Sequence, residues 1–414
     1  MVQVLSSSWA LLLGVFMLMI GNGMQGTLLG LRGDLEGFST LSMSVVISAY
    51  FVGFLFASRM APQMIQRVGH VRVFAALGST ISAVLILYPT IADPWVWTVL
   101  RVVVGFCFCG VYVTAESWLN DSASNENRGK ALSLYMIAQM GGIVAGQYVI
   151  VTGDVGGFVL FVIPSVLVSL AFAPILLSVR PAPAFGLTKP MPIRKLVNAS
   201  PLAAIGMFLL GGVFAAQFGM SGVFGARAGL SVTQISFMIS VVYIAAMLLQ
   251  FPIGWVSDRM DRRVLILALS AIGGIGALIS VFYHSYTLIV ISSVAIGGTS
   301  NPLYALLIAY TNDRLDRGDM AGASAGMLFI NGLGAIVGPL IVGYSMDTVG
   351  PSGYWAYVSA LLLGLAVYAG WRMTRRSNQG VEAVTFAPLS PTGTPIAAEV
   401  AQEVYAEHEA QASR

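Results

Sequence analysis

The stretch that decides the fold is a short charged segment between two long apolar runs: GWVSDRMDRR, residues 254–263. The apolar runs on either side, Gln234–Trp255 and Val264–Tyr283, are each close to the roughly 20 residues that a membrane-spanning helix needs. Charged residues between two such runs mark the place where the chain leaves the hydrocarbon. The segment therefore predicts a turn at a membrane face between two spanning helices, and the same alternation extends in both directions along the chain.

The composition agrees with a chain that lies almost entirely in a membrane. Of the 414 residues, 57% are hydrophobic and only 9% are charged, against about a quarter charged in a soluble domain. This deficit excludes an ordinary cytosolic enzyme, and the scattered net charge of +3 does not favour nucleic-acid binding. Cys107 and Cys109 share one apolar run, so they predict neither a disulfide framework nor a metal site. We therefore expect no metal, no cofactor and no enzymatic activity.

Hydropathy and helix breakers predict an all-α membrane protein with twelve transmembrane helices. They divide into an N-terminal six-helix bundle (residues 1–179), a linker rich in proline and cations (180–201) and a C-terminal six-helix bundle (202–375). Residues 376–414 form a polar, acidic tail that is predicted to be disordered, with a docking segment as the alternative. The predicted spans are Trp9–Leu31, Leu41–Ser58, Val73–Ala92, Trp95–Leu119, Ala131–Thr152, Gly156–Val179, Leu202–Phe224, Gln234–Trp255, Val264–Tyr283, Tyr286–Tyr310, Ala321–Met346 and Tyr354–Met373.

The distribution of Lys and Arg predicts the orientation of the chain in its membrane. If both termini are cytoplasmic, only Arg32, Arg101 and Arg227 fall outside the inner loops, the linker and the tails. Such a bias follows the positive-inside rule. We therefore expect a multi-pass protein of a bacterial-type inner membrane, with both termini and the linker on the cytoplasmic side and membrane lipid around the bundles.

The two halves of the chain are related by a shift of 192 residues, which aligns Gln25 with Gln217 and Tyr112 with Tyr304. Two related bundles can rock about a site at their interface, and no phosphate-binding loop that would indicate ATP drive is visible. The repeat therefore predicts two pseudo-symmetric bundles and favours a secondary transporter. The same shift aligns three pairs of glycines, Gly105 with Gly297, Gly142 with Gly334 and Gly146 with Gly338.

Three motifs resemble those of the major facilitator superfamily. Residues 254–263 resemble its loop signature GxxxDRxGRR, with Asp261 in place of the second glycine. Arg101–Gly105 resembles its RxxxG signature in the fourth helix, and Gly142–Gly146 and Gly334–Pro339 resemble its GxxxGP packing motif, in which small residues let helices approach closely. The resemblance covers residues 8–375 and implies a twelve-helix transporter fold built from two bundles.

The first-half copy of the loop signature departs from the family pattern. Pro62 replaces the glycine and Gln66 replaces the aspartate, whereas Arg67 and Arg72 remain. This departure and the acidic tail motivate a rival hypothesis, a protein of the same fold that no longer transports and acts as an assembly factor or sensor. The stretch from Ala115 to Gln147 is most similar to the YcaD-like subgroup of the family.

Two ionisable side chains are predicted within the hydrocarbon, where charge is expensive and therefore a functional candidate. Arg101, toward the outer half of the fourth span, is interpreted either as a coupling or substrate-anion group or as a structural hydrogen-bond donor. Glu116, near the inner end, is interpreted as a gate partner of Arg67 or Arg72, as a proton carrier or as a satisfied interfacial carboxylate. Asp258 is expected to cap the following helix. The second-half gate residues are Asp258, Arg259, Arg262 and Arg263.

Polar and aromatic residues at mid-depth are the predicted substrate contacts. With Arg101 they favour a small, neutral or weakly anionic organic solute that forms hydrogen bonds, with or without a ring, although inter-helix bonding explains each amide equally well. The other predicted contacts are Asn22, Gln25, Tyr112, Gln139, Gln147, Gln217, Tyr243, Asn301, Tyr304 and Asn331.

Coupling and direction are less constrained by the sequence. His70 and His284 are predicted to lie in loops, so protons would have to be carried by Glu116 or by Asp34 and Glu36 at the outer mouth. The sequence thus favours a proton-linked monomer, and export of a drug or metabolite competes with uptake of a vitamin-like aromatic nutrient.

Overall fold

The computed structural model describes residues 2–122, 128–176, 191–315 and 317–375, and every regular element within these ranges is a helix. Eleven helices are long and apolar enough to cross a membrane by length and composition, and the shorter apolar helix Val159–Pro174 makes a twelfth. The elements in chain order are α1 (Val2–Leu35), α2 (Thr40–Val68), α3 (His70–Leu87), α4 (Pro94–Ser122), α5 (Arg128–Val151), α6 (Val159–Leu176), α7 (Ile193–Ala199), α8 (Pro201–Ala215), α9 (Ser221–Arg227), α10 (Val232–Ser257), α11 (Arg262–Phe282), α12 (Tyr286–Asn312), α13 (Arg317–Val349) and α14 (Ser352–Arg375).

Helix α2 is longer than predicted. The sequence placed its end near Ser58, but the helix continues through Pro62 to Val68. A single residue, Gly69, then reverses the chain with φ 84°, a value that favours glycine. His70 therefore begins α3 and is buried, so its prediction as a loop residue was wrong; the loop is too short to contain it.

The linker is partly helical. Its first part, residues 180–190, and the tail, residues 376–414, lie outside the described residues. The remainder forms the short helix α7, whose Leu196 packs against Gly326 of α13. The backbone N–H of Met191 also donates to the carbonyl oxygen of Gly322 at 3.0 Å. The end of the linker is thus attached to the C-terminal bundle.

A π-helical turn, Ala216–Met220, joins α8 to α9 in one continuous rod. A π-turn inserts an extra residue into the helix and changes the direction of the side chains that follow, and such turns are frequent at functional sites. Here the turn carries Gln217 and Phe218, which both face the interface between the bundles.

The internal repeat is visible in the packing of the helices. A Cβ atom added to Gly105 of α4 would collide with the carbonyl oxygen of Tyr50 in α2, and one added to Gly297 of α12 would collide with that of Val242 in α10. Both members of the second pair lie 192 residues after those of the first. The glycines at 142 and 334 likewise meet residues 16 and 208. The predicted pair of pseudo-symmetric bundles is therefore confirmed.

The two bundles meet along three lines that follow the same pseudo-symmetry. Helix α1 packs against α9, α2 against α13, and α5 against α10. We call the end of the molecule that carries α7 the linker face and the opposite end the distal face. The interface between the bundles runs from one face to the other and contains the candidate site.

Candidate functional site

A cavity lies between the two bundles near the middle of the helices. Its volume is about 890 Å³ when the open space at its mouth is included. Helices α2 and α5 supply one wall, and the α8–α9 rod with α10, α12 and α13 supplies the other. No charged side chain lines it, and its lining comprises Tyr50, Phe51, Phe54, Leu55, Ser58, Gln139, Met140, Ile143, Phe214, Gln217, Phe218, Tyr243, Asn301, Leu328, Asn331, Gly332 and Ala335.

Five residues that the sequence singled out as substrate contacts line this cavity: Gln139, Gln217, Tyr243, Asn301 and Asn331. Neighbouring groups fix two of their side chains. The Nε2 of Gln217 donates to the hydroxyl of Ser300 at 3.1 Å, and the Nδ2 of Asn331 donates to the carbonyl oxygen of Met207 at 3.0 Å. The lining therefore presents oriented amides in an apolar surround, which is typical of sites for small organic ligands.

The aromatic wall of the cavity was not predicted from the sequence. Tyr50, Phe51 and Phe54 of α2 lie opposite Phe214 and Phe218 of the α8–α9 rod. The ring centroids of Tyr50 and Phe218 are 5.5 Å apart, so the two bundles touch through aromatic rings. The signal was present in the sequence, since Tyr50 and Phe54 are four residues apart and share one helix face, but none of the predicted substrate contacts lies in α2.

Four other predicted substrate contacts lie away from the lining. The Nδ2 of Asn22 donates to the Tyr112 hydroxyl at 2.6 Å, and that hydroxyl donates to the Met19 sulfur. Gln147 donates to a backbone carbonyl of α1 at 2.7 Å, while Tyr304 is buried against an aromatic ring of α8. The first three connect helices within the N-terminal bundle, and Tyr304 packs within the C-terminal one.

Arg101 and Gln25, the remaining predicted contacts, form a pair behind the aromatic wall. Arg101 is 0% exposed, and its Nη1 donates to the Oε1 of Gln25 at 2.8 Å. Its guanidinium carbon lies 4.7 Å from the centroid of the Tyr50 ring. Because Tyr50 also lines the cavity, one aromatic ring separates this cation from the cavity.

Glu116 is buried near the linker face, and the Tyr135 hydroxyl donates to its Oε1 at 3.1 Å. Arg67 and Arg72 are exposed and make no ion pair with Glu116 within the described part of the chain. The expected gate contact is therefore not formed in this conformation, because the carboxylate points toward α5 and the two arginines point outward.

The second-half loop is held by ion pairs within the C-terminal bundle. Arg262 is buried and pairs with Asp313, with a longer contact of 3.7 Å to Asp258. Asp261, rather than Asp258 as predicted, caps α11, since its side chain accepts from the backbone N–H of Arg263. Asp258 instead follows the last residue of α10. Asp261 is at the capping position, the residue directly before α11.

The charges of this loop set the pKa of Asp261. Burial by itself would raise the pKa, but hydrogen bonds from the side chain and backbone of Arg263, with the charges of Arg263 and Arg314, lower it below its ordinary value. Arg259 stacks on Trp255 with its guanidinium carbon 4.1 Å from the ring centroid. The loop is thus a compact network that depends on an ionised Asp261.

The bundles approach each other closely on the distal side of the cavity. A Cβ atom on Gly26 of α1 would collide with the carbonyl oxygen of Phe218, and one on Gly30 would collide with the backbone of Gly222. At the distal end, Asp34 lies 3.7 Å from Arg227. These contacts join α1 to the α8–α9 rod, so the distal half of the interface is closed.

Comparison with known proteins decides the family. The model of the Major Facilitator Superfamily matches residues 11–231 and 202–400. The chain belongs to the major facilitator superfamily. Among relatives within it, the uncharacterized MFS-type transporter YfkF of Bacillus subtilis is 24% identical over 341 residues, covering 80% of this chain and 86% of YfkF. The uncharacterized MFS-type transporter YcaD of Escherichia coli is 25% identical over 334 residues, again covering 80% and 86%.

Two solved transporter structures show the same fold. The nucleoside transporter NupG, as its D323A mutant, matches with a TM-score of 0.75 at 14% identity, covering 88% of this chain and 99% of NupG. A bacterial homolog of the human lysosomal transporter Spinster matches with a TM-score of 0.66 at 13% identity and covers 98% of both chains. The family match confirms the predicted family and the solved structures confirm its fold, so the chain is an integral membrane transporter of this superfamily.

Proposed function

We propose that this protein is a secondary transporter that carries a small organic solute, neutral or weakly acidic and with a planar ring, by alternating access. The observation that supports this is the cavity between two pseudo-symmetric bundles, with an aromatic wall on α2 and the α8–α9 rod and amides from α5, α12 and α13. Rings stack favourably on aromatic side chains, and the amides supply donors and acceptors for the polar edge of the solute.

The site should be located with a ligand-dependent melting-temperature screen of the purified chain, since a ligand that binds the folded state raises the melting midpoint with its concentration. A ligand found in this way should lose its effect in Gln217→Leu, which removes an amide from the lining. Gln147→Leu is the matched control, because that glutamine is equally buried but lies outside the cavity. A ligand whose effect survives Gln217→Leu and disappears in Gln147→Leu would place the site elsewhere.

We further propose that transport is proton-linked through Glu116. Among the described residues it is the buried carboxylate, and its partner Tyr135 lies one helical turn from Gln139 in the cavity lining. The alternatives, Asp34 and Glu36, are exposed at the distal face beside arginines. The charge distribution supports a cytoplasmic linker face, so the closed distal side would face the exterior.

The coupling proposal is tested in vesicles loaded with the solute that the melting screen identifies. An imposed pH gradient should drive accumulation by the wild type. Glu116→Gln should abolish that accumulation and preserve exchange of labelled for unlabelled solute, which needs no net proton movement. Asp34→Asn is the control and should accumulate solute normally. Gradient-driven accumulation by Glu116→Gln would exclude this residue as the carrier.

A further inference from the structure

The buried guanidinium of Arg101 has donors without acceptors. Its Nη1 is used by Gln25, while its Nε and Nη2 have no hydrogen-bond partner within the described ranges. The Nε2 of Gln25 is also without one. No carboxylate of the described residues pairs with Arg101, although a lone charge in hydrocarbon is expensive. Three hydrogen-bearing nitrogen atoms, two of Arg101 and one of Gln25, therefore lack an acceptor. The positive charge of Arg101 likewise lacks a carboxylate partner among the described residues.

The two unused atoms of Arg101 form one edge of the guanidinium. Nε and Nη2 lie side by side in the plane of the group, and this edge binds a carboxylate through two parallel hydrogen bonds. A carboxylate is an acceptor at both oxygens, so it complements a cluster made only of donors. An uncharged amide would bring donors of its own and match this edge less well. The free groups of Arg101 and Gln25 thus favour an anionic oxygen ligand.

Tyr50 separates this cluster from the cavity. One face of its ring covers Arg101 at 4.7 Å from the guanidinium carbon, and the residue is also part of the cavity lining. On the side of the other bundle it packs against Phe218. Because Phe218 belongs to the C-terminal bundle, separation of the bundles on the distal side would remove this support and let the Tyr50 ring turn.

We propose that Arg101 and Gln25 form a concealed anion subsite at the distal end of the cavity, covered by Tyr50, which takes the carboxylate of a ring-bearing organic acid. The proposal rests on the proposed function and narrows its substrate class from neutral or weakly acidic solutes to acids. The ring occupies the aromatic cavity, and the carboxylate replaces the Tyr50 ring over the guanidinium. The cavity lining itself carries no charged side chain, and the guanidinium of Arg101 lies directly behind one of its lining rings, Tyr50.

The test compares benzoate with benzamide, which share a ring and differ in charge. Melting midpoints of the purified full-length chain are measured against the concentration of each probe at constant ionic strength and neutral pH. A charge-assisted pair of hydrogen bonds should make benzoate bind about 10-fold more tightly than benzamide. Tyr50→Ala uncovers the guanidinium and should increase this preference, whereas Arg101→Gln should abolish it.

Two controls separate the subsite from general effects of charge and truncation. Arg375→Gln removes the same charge at the end of α14, and Phe56→Ala removes an exposed ring of α2 that faces away from the site. Both should keep the wild-type preference for benzoate. Equal shifts by the two probes in Tyr50→Ala, or a preference for benzoate that persists in Arg101→Gln, would overturn the proposal.

The same measurements distinguish this proposal from the proposed function. If benzamide raises the midpoint and Gln217→Leu removes that effect, the central cavity is a binding site regardless of the result for benzoate. If benzamide acts independently of Gln217 while benzoate still requires Arg101, the anion subsite is supported and the proposed role of Gln217 as a substrate contact is refuted. If neither probe raises the midpoint of Tyr50→Ala, the anion subsite is refuted.

Discussion

Closure of the distal side depends on the absence of a side chain at Gly26. In the structure a Cβ atom at this position would collide with the backbone carbonyl of Phe218, and backbone atoms cannot move aside as a flexible side chain would. Gly26→Ala therefore forces α1 away from the α8–α9 rod. The contact is between the bundles and not within one, so the change should disfavour the distal-closed state with little effect on the folding of either bundle.

The size of the effect follows from the cost of overpacking. Inserting a methyl group into a well-packed interface costs about 1–3 kcal/mol. A difference of that size changes the ratio of two conformations by roughly 5- to 150-fold. In Gly26→Ala, a chain that is mostly distal-closed should then populate the distal-open state to a measurable extent. Membrane-impermeant reagents added on the distal side should therefore reach the interface between the bundles more readily in this variant than in the wild type.

The assay is the distribution of distances between spin labels at the distal ends of α1 and α13. Leu35 and Val349 are exposed there and belong to different bundles. The labels are introduced as cysteines after Cys107 and Cys109, which are buried, have been replaced by alanine. In Gly26→Ala a population at longer distance should appear or grow.

Gly364→Ala is the matched control for this experiment. It makes the same change within α14, where a Cβ atom would meet nothing within 4 Å. Both variants gain the stabilisation of about 0.5–1 kcal/mol that alanine gives over glycine in a helix. Unchanged distances in Gly26→Ala, or an equal change in Gly364→Ala, would show that Gly26 does not control closure of the distal side.

Two further predictions concern the loop between α10 and α11. Arg262→Ala should lower the melting midpoint strongly, because breaking a largely buried ion pair costs about 3–5 kcal/mol and leaves the carboxylate of Asp313 without its partner; an unchanged midpoint would contradict this. The pKa of Asp261 is lowered in the folded chain, through bonds from Arg263 that outweigh burial. Its stabilisation is therefore complete above the pKa of the unfolded state and is lost as pH falls through the folded-state pKa. Asp261→Asn should remove this part of the acid dependence of the midpoint, and an identical pH profile would show that the residue contributes nothing.

The sequence alone determined the class of the protein, the number of its long apolar segments and the relation between its halves. Long apolar runs must become helices in a bilayer, because every backbone polar group has to be satisfied internally. The 192-residue repeat then predicted equivalent packing, and the contacts of Gly105 and Gly297 agree with it. The ends of elements were less predictable, as the extension of α2 and the helical position of His70 show.

Only the tertiary structure decided which polar residues face the cavity. Gln217 and Gln25 are equivalent in the repeat, yet the first lines the cavity and the second holds Arg101 behind Tyr50. Around a membrane helix, lipid and neighbouring helices are both apolar, so the hydrophobic pattern hardly reveals which side of the helix faces inward. The rotation of each helix is set by close packing at glycines and by the π-turn that carries Gln217, and these are properties of the assembled bundles.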